Sequence, residues 1–264
     1  MILCGAKVGE YMSNETKIQN IFANLNNIVE VRYFKTIDST NNEAKRCYDN
    51  LSDIPIIFIS DHQTNGKGRL GRSFYSPKDT GLYMSLLMKV NSESNIVSLT
   101  TATAVCVVKA IEKLSSLSPV IKWVNDIYIN DKKVCGILCE AITNPETSQI
   151  DAIVIGIGVN ISTSVFPEEI KDIAGALKTD IDKNMLCALI VDNILNTISE
   201  KSDFIDDYKK YSMVIGKEIT YTENGITKAA TAIDINQNGG LVINTEDGTK
   251  ILSTGEISIR LKGN

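Results

Sequence analysis

The spacing of apolar residues changes at Ser212, and the change divides the chain into two parts that cannot be built alike. Beyond it the apolar residues fall in short runs, over 218–221, 227–235, 241–244, 250–253 and 256–260. Asn224-Gly225, Asn238-Gly239-Gly240 and Asp247-Gly248 separate some of these runs, and such residues favour tight turns. Short strands at this spacing predict a small β-barrel of about fifty residues. Before Ser212, strand-like runs at 29–37, 55–60, 81–90, 120–123, 128–130, 134–141 and 150–161 mix with helical periods at 40–51, 95–116, 166–177, 184–200 and 204–211. Thr40 and Glu43 fit a capping box, and Ser94 a cap for the helix after it. Asp131-Lys132-Lys133 reads as a hairpin turn. The expectation is an α+β fold: a short extension (1–28) with at most one helix, a mixed sheet with flanking helices (29–212), and a barrel domain (213–264).

Composition narrows the class. The chain has 264 residues, 43% hydrophobic and 22% charged, enough for one large domain and a small one. No apolar run approaches the roughly 18 residues of a membrane span. Met1 to Gly5, with Cys4, echoes a lipoprotein cleavage site but lacks the basic and apolar regions that precede one. Met12 opens a polar stretch and is the alternative start. The six cysteines, Cys4, Cys47, Cys106, Cys135, Cys139 and Cys187, form no C-x-x-C, and one histidine is too few for a zinc site. Cys135 and Cys139 lie four apart in a strand pattern and so face one side. Buried, reduced thiols in a cytoplasmic protein fit this usage. A net charge of −5 gives nucleic acid no global attraction.

The positive charge that matters is local. Gly66 to Arg72 packs three glycines and three cations into seven residues, after the apolar run 55–60 and before the turn signal Ser76-Pro77. Glycine lets backbone N–H groups approach a ligand, and Lys67, Arg69 and Arg72 supply charge for carboxylate or phosphate. An anion-binding loop on a sheet edge follows; the alternative is a solvated basic loop. Neither the phosphate loop nor the dinucleotide fingerprint matches, because no Ser or Thr follows Lys67 and no helix pattern follows the glycines.

Four further segments stand out: Lys122-Trp123-Val124-Asn125-Asp126, Lys132-Lys133 through Gly136 to Glu140, Gly156-Ile157-Gly158-Val159-Asn160, and Gly255-Glu256-Ile257-Ser258. Each alone has a plain reading, Lys122 as a strand end, Lys133 as a turn residue, Asn160 as a cap, Trp123 as core. In this order, with Asp38-Ser39-Thr40-Asn41 and the loop from Gln63, the set resembles the biotin protein ligases over nearly the whole chain. Val124 stands where that family usually has Pro, which would loosen the turn before Asn125, and Lys67 where many members carry Arg.

The resemblance implies a biotin/lipoate ligase-like catalytic domain with an SH3-like barrel, and the reaction. Biotin's carboxylate attacks the α-phosphate of ATP, giving biotinyl-5′-AMP. A lysine of a biotin carboxyl carrier protein domain, part of a biotin-dependent carboxylase, then takes the acyl group. The substrates bring the nucleophiles, so the protein supplies positioning and charge neutralisation. Magnesium accompanies the nucleotide on its phosphates, and no protein metal site is implied. By the same resemblance Ser39, Thr40, Asn41, Gln63, Gly66, Lys67, Gly68, Arg69, Lys133 and Gly158 form the biotin site. Lys67, Arg69, Arg72, Phe74, Lys122, Asn125, Lys133 and Asn160 form the ATP site, with Phe74 stacked on adenine. Lys133 bridges carboxylate and α-phosphate, Arg69 supports the charge, and Asp126 orients or deprotonates the carrier amine. Many bacterial members carry an N-terminal helix-turn-helix and act as repressors; some 28 residues before the first strand are too few for one, so a ligase with no DNA or membrane partner is expected. A homodimer paired through a sheet edge is compatible. A lipoate or octanoate ligase shares the fold and is the alternative.

Overall fold

In the computed structural model, which describes residues 14–25, 27–90, 95–223, 225–253 and 259–261, the elements before Ser212 follow the expected order. Helix α1 spans Asn14–Phe22, β1 Glu30–Phe34, α2 Thr40–Arg46, β2 Ile56–Ser60, β3 Gly81–Lys89 and α3 Ile96–Leu114. Then come β4 (Val120–Lys122), β5 (Asp126–Ile129), β6 (Lys132–Thr143), β7 (Ile150–Asn160), α4 (Lys183–Ser199) and α5 (Ile205–Tyr211). The seven strands form one sheet in the order β1-β2-β3-β7-β6-β5-β4. Only β1 and β2 run parallel; the other neighbours are antiparallel, so the sheet is mixed. Strand alternation gives the two faces different tasks. Ile153, Ile155, Ile157 and Val159 of β7 join Val105, Val108, Ile111, Leu186 and Ile190 of α3 and α4 in the main core. Ala152 and Val154 point the other way, into a smaller cluster with Ala44 of α2, Ile56, Phe58 and Leu87. Cys135 is buried in the main core and Cys139 packs against it, so the two do share a side.

The second part comprises β8 (Glu218–Glu223), β9 (Ile226–Ile235), β10 (Leu241–Thr245), β11 (Gly248–Leu252) and β12 (Ile259–Leu261), all antiparallel in the order β11-β10-β9-β8-β12. Among the described residues no ladder joins β11 to β12, so these strands form an open sheet and the expected closed barrel is not present. Run lengths and turn residues specify hairpins; closure depends on pairing between the two outer strands, which no local pattern encodes. The turn before β10 ties this sheet to the first part. Trp123 Nε1 donates to the Gly239 carbonyl (2.8 Å), and a Cβ on Gly239 would meet Thr101 Oγ1 of α3 at 2.6 Å. Lys209 of α5 adds an ion pair to Asp234 of β9 at 2.8 Å.

Four local expectations are corrected. Residues 166–177 are not helical. Turns start at Pro167, and the backbone then bonds outward: Lys133 N to Ile173 O, Gly175 N to Lys133 O, Leu177 N to Asn160 O. Partners on β6 and β7 replace the hydrogen bonds a helix would have made internally. Ser39, not Thr40, caps α2, its hydroxyl accepting from Asn42 N at 3.5 Å. Asn95, not Ser94, caps α3, accepting from Val97 N and Ser98 N; Ser94 lies outside the described residues. The glycine-rich loop leaves β2, an inner strand between β1 and β3, and not a sheet edge. Cys4, Met12 and 255–258 also lie outside the described residues.

Candidate active site

Beyond the cluster under α2, the outward face of β7 loses its side chains at Gly156 and Gly158. Gly136 of β6 pairs with Gly158, and Ser85 of β3 with Gly156, so a bare floor spans three strands. Here the glycines provide space. A Cβ on Gly156 would lie 2.1 Å from Asn41 Oδ1, and one on Gly158 2.4 Å from the Phe74 ring. The floor opens into a cavity of about 890 Å³, large for one small ligand and sufficient for two.

Ser39, Thr40, Asn41, Gln63, Lys67, Gly68, Arg69, Arg72, Phe74, Lys122, Asn125, Asp126, Lys133, Gly158 and Asn160 all line this cavity. Gly66 does not. It is buried, its carbonyl accepts from Phe74 N (2.9 Å), and a Cβ there would meet Phe74 O at 2.5 Å. Its role is to let the loop double back on itself. The loop is held by Gly68 N to Arg72 O (2.7 Å), and Lys67 and Arg72 stand exposed at the rim.

Arg69 turns inward instead. It donates from a guanidinium nitrogen to Asn125 Oδ1 (3.0 Å), and burial lowers its pKa, with the Asp126 charge opposing that shift. Asn125 is itself fixed at two further points. Its Nδ2 donates to Ile137 O (2.9 Å), and its carbonyl accepts from Ile137 N (3.0 Å). Val124 is fully buried, and its carbonyl accepts from Tyr208 of α5 at 3.2 Å, so Val in place of Pro leaves a firmly held turn. Opposite the loop, Lys133 Nζ pairs with Asp126 Oδ1 at 2.7 Å. Lys122 places its ammonium over the Tyr128 ring, 5.5 Å from the centroid. Asn160 is buried, with Nδ2 donating to Gly175 O (2.9 Å) and Oδ1 without a partner among the described residues. A buried acceptor in that condition suits a ligand donor. The Phe74 ring lies over Gly158 and Gly136, edge-on to Tyr83 at 6.4 Å.

A polar chain behind the floor brings in residues that motif reading left without a role. Lys45 Nζ lies 2.7 Å from Glu140 Oε1, and Glu140 Oε2 accepts from Asn41 Nδ2 at 2.9 Å. Ser85 Oγ lies 2.6 Å from Asn41 Oδ1 and 2.7 Å from Thr40 Oγ1. Gln63 Oε1 accepts from Thr40 N (2.8 Å), and Gln63 Nε2 donates to Ser76 Oγ (2.9 Å). Two signals were legible: Glu140 shares the strand period of Gly136 and Leu138, and Ser85 interrupts an otherwise apolar strand.

Residues 33–160 match the biotin/lipoate A/B protein ligase family, and residues 214–260 the biotin protein ligase C terminal domain. The bifunctional ligase/repressor BirA of Bacillus subtilis is 30% identical over 240 residues, 86% of this chain and 73% of that protein. The biotin–[acetyl-CoA-carboxylase] ligase of Mycobacterium tuberculosis is 24% identical over 216 residues, 76% of this chain and 78% of that one. Among solved structures, the biotin protein ligase from Aquifex aeolicus in complex with biotin and ATP aligns with a TM-score of 0.74 and 30% identity, covering 88% of this chain and 99% of that one. The chain therefore belongs to the biotin protein ligases, within the biotin/lipoate A/B protein ligase family.

Proposed function

We propose that the chain joins biotin to a lysine of a biotin carboxyl carrier protein domain in two steps within this one cavity. A biotin carboxylate oxygen bonds to the α-phosphorus of ATP, the bond to the β-phosphate side breaks, and pyrophosphate leaves. The carrier amine then bonds to the acyl carbon, the anhydride C–O bond breaks, and AMP leaves with the amine proton lost. The observation that carries this reading is that the paired Lys133 and the half-buried Arg69 both line the glycine-floored cavity. Two cations fixed before the ligands arrive need little reorganisation as charge builds between carboxylate and phosphate. Ser39, Thr40, Asn41 and Gln63 take the ureido ring, and Gly158 with Gly68 gives the bicyclic part room. Lys67, Arg72 and Lys122 serve the phosphates, and Asn125 holds Arg69 toward them. Phe74 and Asn160, whose Oδ1 is an acceptor with no partner among the described residues, serve the nucleoside. Asp126 pairs with Lys133 and orients it, and its second task in this reading is to receive the carrier amine.

Magnesium accompanies the nucleotide on its phosphates, whose oxygens are the hard ligands it prefers. We take 29–212 as the catalytic domain and 213–264 as a smaller unit, built on the second antiparallel sheet, that helps dock carrier or nucleotide. Among the described residues no helix is long and apolar enough to cross a membrane; we place the protein in the cytoplasm, where biotin, ATP and the carrier meet. Incubation with biotin, ATP, magnesium and a carrier domain, read by mass spectrometry of the carrier lysine, tests the assignment. Biotinylation is expected; modification by lipoate or octanoate in its place would overturn it.

A further inference from the structure

Glu140 ends a hydrogen-bonded chain whose proton order decides what the cavity offers a ligand. A carboxylate only accepts, so Asn41 must present Nδ2 to it at 2.9 Å and keep Oδ1 for Ser85. Ser85 has one proton and gives it to that oxygen at 2.6 Å. Its contact with Thr40 Oγ1 at 2.7 Å is then satisfied by the Thr40 proton. Gln63 Oε1, 3.1 Å from the same hydroxyl, therefore accepts only from Thr40 N and keeps a lone pair. Gln63 and Thr40 line the cavity, so both present acceptors to a ligand. Reversing Asn41 pushes one proton along the chain. Ser85 then donates to Thr40, Thr40 donates to Gln63 Oε1, and that oxygen has no lone pair left.

We propose that Glu140, held by Lys45, is a positioning residue that sets this proton order and so selects a ligand bearing ring N–H donors, a cyclic urea. This rests on the biotin reading above. Lys45, whose ammonium requires an acceptor, makes the proposal testable. In Glu140→Gln the new amide oxygen turns to Lys45 and the amide nitrogen to Asn41, which reverses. With Lys45→Met added, the amide is free to present its oxygen to Asn41 and restore the original order.

The experiment is biotin titration by calorimetry on the full chain, with the apparent KM for ATP measured beside it. Glu140→Gln is expected to weaken biotin about tenfold, the effect of one buried acceptor lost to its partner. The ATP value should move by less than about twofold. The double variant Lys45→Met/Glu140→Gln should recover most of the lost affinity, which a merely structural lesion would not do. Unchanged biotin affinity in Glu140→Gln, equal losses for biotin and ATP, or a double variant as weak as the single one would each overturn the proposal. If the wild-type protein itself does not bind biotin, the functional reading falls, an outcome visible before any variant is compared.

Discussion

Lys133 and Arg69 reach the same cavity with different tasks, and removing each should fail differently. Lys133 is a partly buried cation 2.7 Å from Asp126. Lys133→Ala removes the charge between the two reacting anions and leaves the carboxylate facing them. Biotin-dependent ATP–pyrophosphate exchange should fall on the order of 10²–10³-fold, the usual cost of losing one preorganised stabilising group, with the fold intact by circular dichroism. Near-normal exchange would remove Lys133 from the mechanism. Arg69 reaches Asn125 from the loop, so it also ties the loop to the turn after β4. Arg69→Gly should loosen that closure and let the reactive anhydride escape to water and stray lysines. Streptavidin blots of a mixed protein pool should show more bystander labelling than with the wild type. No rise while adenylate synthesis continues would show that Arg69 is not the latch. Motif reading identified both side chains but not their partners. Asp126, expected at the carrier amine, pairs with Lys133; Gly66, expected at biotin, is buried inside its own loop and does not line the cavity.

At the level of elements, the glycines of β6 and β7 and the turn before β10 set the architecture. Gly156→Ala puts a methyl 2.1 Å from Asn41 Oδ1, and that amide cannot yield without breaking its bonds to Glu140 and Ser85. Biotin affinity should drop about tenfold or more while β7 keeps its pairing, since Ala suits an antiparallel ladder better than Gly. Unchanged calorimetric affinity would show that Asn41 is not needed in place. Trp123→Phe keeps most of the buried ring and leaves the Gly239 carbonyl without its donor. A buried, unpartnered carbonyl costs about 1–3 kcal/mol, to be read from denaturant midpoints. A midpoint equal to wild type would mean that the two sheets are held by other contacts. The strands were legible because apolar alternation is a local signal. The helix expected at 166–177 was misread because its residues are compatible with a helix in isolation, while their backbone groups are satisfied by β6 and β7.

For the whole molecule, a net charge of −5 supplies no overall attraction for duplex DNA, and only six of its cationic side chains line the cavity. Fluorescence anisotropy with promoter DNA should show no binding that survives added salt, with or without biotin and ATP; a salt-resistant, biotin-dependent complex would refute this. Sequence alone determined the mixed sheet, the order of its strands along the chain, the hairpins of the final segment, and the motifs whose residues line the cavity. Those are properties of composition and periodicity, and of residue types that rarely serve any other purpose when combined. Only the tertiary structure decided that Phe74 seats over Gly158, that Asn125 receives Arg69, that no ladder among the described residues closes the final sheet, and that Glu140 reaches Asn41 across 99 positions of chain. Each depends on which strands and loops meet, and a contact between distant residues leaves no trace in the local pattern of either one.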